Sequence, residues 1–343
     1  MIKANVAKTY IETCSGGKMK PKHLLLLMII LTVVFFPLFF RYLPLGTEAA
    51  QIGHRGLQIL YSAIMGITAS TLVILCMLYV VKRDYVIQQW QILNRFKYLL
   101  HIIVKRDFVT RYRKSTLGVL WSLLNPLFTM LVLNMVFSML FRFEIPHFPV
   151  YLLSGQMIFI FFSEATTGAM GSITGNAGII KKVYVPKYIF PVSRIFSALV
   201  NLAFAFVAFL IVVVITGAPL HWTIVLFPIP IFYTFLFALG VGMLLSCVAV
   251  FFRDISHIYG IFTTLLMFMT PIMYPVSILP DRVFQLMHLN PLYHYITFFR
   301  ALALDGVIPG FWVNIVCLGF ALLSICVGLS ATVARQDKYI LYL

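Results

Sequence analysis

Charge is what this 343-residue sequence has least of. Only 10% of its residues are charged, against 62% hydrophobic, and acids are the scarcer sign, 10 Asp and Glu beside 26 Lys and Arg. A soluble globular domain carries roughly 25% charged residues, so the chain reads as an integral membrane protein. Cysteine is sparse too: Cys14, Cys76, Cys247, Cys317 and Cys326, four of them inside apolar runs. No CxxC pair and no His/Cys cluster occurs, so neither a disulfide framework nor a metal site is indicated. No Asp-x-Asp or comparable carboxylate pair is present, which weighs against a membrane-embedded polyprenyl-linked glycosyl- or phosphotransferase. A phosphate-binding loop is missing as well. CSGGKMK ends in Gly-Gly-Lys, but the Gly required five residues before Gly17 is Glu12, and no Ser or Thr follows Lys18. No catalytic residue and no cofactor is therefore expected on this chain.

What the sequence does have is apolar runs long enough to cross a bilayer, about 20 residues each. Eight candidates lie near 24–43, 57–81, 116–141, 148–173, 191–216, 223–251, 256–277 and 311–333. These are helical runs, without the short alternation of an outer-membrane barrel. The first run is longer than a signal-peptide core and is expected to be an uncleaved span. The net charge of +16 sits in short loops between runs, as topology determinants do, so no nucleic-acid partner is expected. With the N-terminus inside, 21 of the 26 Lys and Arg fall on that side. Arg41, Arg55, Arg142, Arg282 and Arg300 fall on the other. Both termini are thus expected in the cytoplasm.

Between the second and third runs lies a basic stretch, 88–115. In RFKYLLHIIVKRDF, Phe96, Leu99, Leu100, Ile103, Val104 and Phe108 recur at helical spacing, and Arg95, Lys97, His101, Lys105 and Arg106 flank or oppose them. This is the pattern of an amphipathic helix in the membrane interface, polar face toward headgroups. Nine Lys and Arg in 82–115 exceed what orientation requires and suit anionic lipid, although topology anchoring would use some of them. Asn125-Pro126 is expected to break or kink the next span.

KRDFVTRYRKSTLGVLWSLLNPL (105–127) resembles a motif of the permease subunits of ABC-type polysaccharide and polyol-phosphate exporters, the O-antigen, teichoic-acid and capsule exporter family. The resemblance continues through GNAGIIKKVYVPKYIFPVS (175–193), VFFRDISHI (250–258), TPIMYPVSILP (270–280) and LNPLYHY (289–295), in order and over about 95–343. It implies an all-α integral membrane fold, the six-span type-2 ABC exporter core over 116–343. Before that core come a cytoplasmic tail (1–23), two additional N-terminal spans (24–87) and the interfacial helix (88–115). The usual core lacks the two extra spans, so the resemblance says nothing of their role.

It also implies partners: a second copy of the chain, two ATP-binding subunits carrying ATP and Mg, membrane lipids, and a polyprenyl-pyrophosphate-linked glycan as substrate in the bacterial plasma membrane. Lys105, Arg106, Arg111, Arg113 and Lys114 would attract the pyrophosphate. The coupling loop 174–190, through Asn176, Ile179, Ile180, Lys181, Lys182, Val183, Tyr184, Pro186 and Lys187, would seat in a groove of the ATPase. An ordinary basic loop would use the same residues. Trp121 and Glu164 are candidates for channel lining or packing. Glu164 is an acid inside a span, where it must be paired, protonated or facing a cavity. Pro280, Pro291 and Pro309 divide 278–310 into two short helices, about 281–288 and 292–304. The family places re-entrant helices here, with Tyr293, Tyr295 and Phe298 as an outer gate. The rival readings are an ABC permease for drugs or small lipids, the transferase above, and a secondary transporter.

Overall fold

A computed structural model describes residues 96–113, 116–140, 145–182, 185–335 and 339–342. The tail 1–23, the expected spans at 24–43 and 57–81, Lys114, Val183 and Tyr184 lie outside the described residues. Within them every regular element is helical: α1 Lys97–Tyr112, α2 Leu120–Leu140, α3 Phe148–Met170, α4 Ser172–Gly175, α5 Ala177–Ile180, α6 Ile189–Thr216, α7 Pro228–Phe251, α8 Ile255–Met269, α9 Asp281–Met287, α10 Pro291–Ala303, α11 Phe311–Arg335 and α12 Tyr339–Tyr342. Short 3-10 turns precede α7 (Trp222–Leu226) and α9 (Val276–Ile278).

Five of the described segments are long and apolar enough to cross a membrane: Leu120–Ser138, α3, α6, Trp222–Phe251 and α11. The segment expected to span over 256–277 is helical only over Ile255–Met269. The chain turns extended at Thr270, before Pro271, and Arg300 occupies the carbonyls that follow. At 1.5 Å per residue α8 is about 22 Å long, short of the roughly 30 Å hydrocarbon core. α2 continues as a helix through Pro126 and does not break there, as spans do when neighbouring groups take over the freed backbone. Thr129 Oγ1 donates to the Asn125 carbonyl in the next turn, at 2.8 Å, while the carbonyl that Pro126 leaves without its amide partner is that of Ser122.

Local chemistry sets the helix ends. Proline opens α3, α7 and α10, where its missing N–H costs nothing. Asn290 caps α10, its Oδ1 accepting from the Leu292 N–H at 3.0 Å. Gly217 closes α6 in the left-handed region, φ 66°.

α3 is the centre of the bundle and buries residues on every side. It packs against α6 and α7, and α7 packs along α11. The main core gathers Leu152, Phe161, Phe209, Tyr295 and Phe299. α2 joins it only at the edge, through Met130, its one residue described as buried, with Leu127 and Leu133 packed beside it. A second apolar cluster joins one end of the bundle: Ile103 of α1, Ile173 of α4, Ile180 of α5, Ile189 and Phe190 of α6, Cys247 and Val250 of α7, and Tyr339 of α12. This is the basic end. At the opposite end α10 packs under the 270–280 loop and against α3.

Candidate functional site

The basic end holds a cleft of about 840 Å³ where α1, α3, α4 and α6 meet. Three arginines and two acids line it: Arg106, Asp107 and Arg111 from α1, Glu164 from α3, and Arg194 from α6. α1 is seated over it by Ile103, which is buried, and by Phe96 and Leu99, which pack on the second cluster. Phe108 stacks on Phe204 of α6, ring centroids 6.0 Å apart. The apolar stripe read from the sequence therefore packs largely on protein. The face left outside mixes Tyr98, Ile102 and Val109 with Lys97, His101 and Lys105, a composition suited to the headgroup layer.

Two ion pairs join α1 to the bundle. Arg111 Nη1 lies 2.5 Å from Glu164 Oε1, and Asn201 Nδ2 of α6 donates to the same oxygen at 2.7 Å. Glu164 is thus paired, by a residue 53 positions away and from outside the spans. Burial alone would lower the Arg111 pKa; the charge and hydrogen bond of the Glu164 carboxylate, with Tyr112 adding to them, outweigh it and raise it. The two side chains are 49% and 28% exposed, which holds the pair to about 1 kcal/mol.

One helical turn earlier, Asp107 sits between two cations. Its Oδ1 accepts from Arg106 Nη2 at 3.3 Å, and its Oδ2 lies 3.0 Å from Arg194 Nη1. The second contact is close enough for an ion pair but is not aligned as a hydrogen bond, so the buried Oδ2 keeps unused acceptor capacity. Arg106 also reaches Asn176 Oδ1 at 3.5 Å, while Asn176 Nδ2 donates to the Ser172 carbonyl. The cleft and the loop 172–187 thereby share a wall. A smaller cleft of about 370 Å³, with Arg253, Thr174 and Ser256 in its lining, adjoins across Thr167.

The structure divides the expected coupling residues. Lys181 and Lys182 are exposed and Ile179 is 37% exposed at the surface. Ile180 turns inward against Ile173 and Ile189, so the apolar ridge read from the sequence presents Ile179 and not Ile180. Asn176 faces the cleft. Pro186 is half-buried, and Lys187 Nζ lies 5.5 Å from the Tyr339 ring centroid. Among the expected headgroup residues, Lys105 and Arg113 are exposed beside Arg106 and Arg111. Trp121 is exposed on the first turn of α2.

The trio at the opposite end is separated. Tyr295 is fully buried and donates to the Cys317 carbonyl at 3.1 Å, and Phe298 is buried edge-on to Tyr233. Tyr293 alone keeps some exposure. The dominant residue at that end is one the sequence reading treated only as a loop charge. Arg300 is buried, with Nε donating to Ser154 Oγ (3.2 Å), Nη1 to the Pro271 carbonyl (2.7 Å), and Nη2 to the carbonyls of Tyr151 and Ile272 (both 3.1 Å). Its guanidinium stands 3.5 Å over the Tyr151 ring. The available sign was an arginine within PLYHYITFFRALA, where the other residues are mostly apolar.

Residues 98–304 match the family of ABC-2 type transporters. The chain belongs to that family. The match begins within α1 and ends just past α10, so it includes both the cleft and the Arg300 cage. The chain is 32% identical over 219 residues to the O-antigen export system permease protein RfbA of Myxococcus xanthus, covering 63% of this chain and 84% of that protein. It is 26% identical over 249 residues to the polysialic acid transport protein KpsM of Escherichia coli, covering 70% and 95%. It is 23% identical over 221 residues to the capsule polysaccharide export inner-membrane protein CtrC of Neisseria meningitidis serogroup B, covering 62% and 81%.

Proposed function

We propose that this ABC-2 permease is half of an ATP-driven exporter that moves a polysaccharide carried on a polyprenyl pyrophosphate out of the cytoplasm. The single observation that carries this reading is the arginine-lined cleft under α1, at the level where an interfacial helix meets headgroups. Arginine matches phosphate oxygens in a planar, two-pronged geometry. A neutral drug would need no such cluster, which disfavours the small-molecule reading. The names of the relatives support a surface polysaccharide as cargo, with O-antigen and capsule nearer than teichoic acid.

In this reading both termini and the basic end face the cytoplasm, and the chain resides in the bacterial plasma membrane. Arg106, Arg111, Arg113 and Lys114 receive the pyrophosphate from the membrane. Ile179, Lys181, Lys182, Val183 and Tyr184 present the coupling segment to a separate ATPase, which holds the ATP and Mg. The wall shared through Asn176 joins the two tasks, because motion of the loop moves the cleft floor. A second copy completes the pathway, and the nearly unburied α2 supports a partner surface there. Tyr293 is the outer-end aromatic still able to meet the emerging glycan.

Gentle purification of the chain from its native membrane, with mass spectrometry of all that remains bound, tests this. The expected result is a stoichiometric ATPase with a polyprenyl-linked glycan. An ATPase accompanied only by small lipids sinks the polysaccharide assignment, and an intact preparation without any ATPase sinks the exporter assignment.

A further inference from the structure

Resting on the reading of the cleft as a headgroup site, we infer that Glu164 is the resting occupant of Arg111: it stands in place of a phosphate and keeps singly charged phospholipids from filling the site while no pyrophosphate is bound. The carboxylate answers the same guanidinium geometry that a phosphate would use. Neither partner is deeply buried, so the pair is open to exchange in a way that the caged Arg300 is not. An acid within a span is costly unless it has a task or a partner, and a structural partner alone was available in Asn201. Asn201 also gives the carboxylate somewhere to stay: its 2.7 Å hydrogen bond does not run through Arg111, so Arg111 can turn away without breaking it.

Charge explains why such a stand-in is needed. The cleft has three guanidinium groups against two carboxylates, so its net charge at rest is only +1. Without Glu164 it would be +2, beside a leaflet rich in anionic phospholipid. Phosphatidylglycerol would then fill the site whenever the rarer ligand was absent. Displacing Glu164 costs every entering headgroup about the same, so affinity for all of them falls by a common factor. The weak monoanion drops below the level at which its abundance fills the site. The pyrophosphate, with more charge and more oxygens to share among Arg106, Arg111 and Arg194, stays above it. The carboxylate sets a threshold, not a ratio. Its exchange also frees the C-terminal turn of α1 from α3, leaving α1 tethered by Asp107 and Arg194.

The test is native mass spectrometry of the whole complex, permease with its ATPase, released from neutral phosphatidylcholine nanodiscs. Two probes are titrated separately, phosphatidylglycerol and an unglycosylated polyprenyl pyrophosphate. Glu164→Gln keeps the shape and the Asn201 contact; it is expected to tighten both probes about fivefold, the worth of a half-exposed ion pair. Glu164→Asp, which restores the charge, is expected to return both toward the wild-type values. Arg111→Gln is expected to weaken the pyrophosphate probe. If Arg111→Gln weakens it while Glu164→Gln tightens neither probe, or only one, the stand-in role is wrong and the headgroup site survives. If Arg111→Gln changes nothing, the headgroup site itself is wrong and the inference goes with it.

Discussion

Gly240 of α7 and Gly328 of α11 face each other across a helix crossing with no room for a side chain. A methyl group built on Gly328 would stand 2.9 Å from the Gly240 carbonyl carbon, and one built on Gly240 would run into the Ser324 backbone. Small residues of this kind let spans pack where no hydrophobic drive separates helix from lipid. Gly328→Ala and Gly240→Ala are each expected to destabilise the detergent-solubilised chain by about 1–3 kcal/mol through overpacking. Gly260→Ala on α8, with open space around it, is expected to be neutral or slightly stabilising. Thermal melts of the three variants check the order.

Arg300 is expected to be intolerant of replacement. Arg300→Met strands the carbonyls of Tyr151, Pro271 and Ile272 and removes the cation over the Tyr151 ring. Removing one partner of a buried charged network costs about 3 kcal/mol or more, which translates to a fall of about 10 °C in apparent Tm. Arg300→Lys supplies three donors from one point instead of a planar fork and is expected to recover only part of that loss. Gly155→Ala presses a methyl to 2.8 Å from Arg300 Nη2 and is expected to be milder than either. An Arg300→Met protein with an unchanged melt would mean that the cage is idle.

Asp107 holds α1 against α6 through Arg194 and balances Arg106. Asp107→Asn is expected to raise amide hydrogen exchange over 97–112 about fivefold, the equivalent of about 1 kcal/mol, with α7 and α11 unchanged. Exchange that rises equally throughout the bundle would show global destabilisation and not a local tether.

Ile179 is the exposed apolar residue of α5, and Ile180 beside it is internal. Ile179→Glu is expected to weaken capture of the ATPase about tenfold by co-purification while leaving the permease melt unchanged, because an exposed apolar contact at an interface is worth about 1–2 kcal/mol. Ile180→Glu is expected to lower the melt itself. Equal effects of the two variants on both measurements would contradict the division between them.

The spans were legible because apolar length and proline placement are local properties. α3, α6, α7, α10 and α11 begin and end within a few residues of where runs and prolines put them. Pro126 sits inside a continuous helix, because the cost of a proline there depends on what surrounds it. α8 is shorter than its apolar run, which outlasts the helix. Arg300, behind Thr270, captures the backbone that would otherwise have continued. The site was legible by residue type but not by pairing. Arg111 and Glu164 each stood out, yet nothing in their separate neighbourhoods shows that α1 folds back onto α3. Tyr295 and Phe298 looked interfacial from composition, and packing against α11 and Tyr233 made them core.

The shortness of α8 has a mechanical meaning for the lipid beside it. Its outward face, with Ile258, Ile261, Phe262, Leu265 and Phe268 exposed, offers about 22 Å of oily contact to a layer about 30 Å thick. Acyl chains against that face must shorten by about 8 Å or tilt, at a modest cost for each ångström. Where lipid meets that face the leaflets are expected to thin, and in the proposed export cycle a headgroup moving past it would have less hydrocarbon to cross.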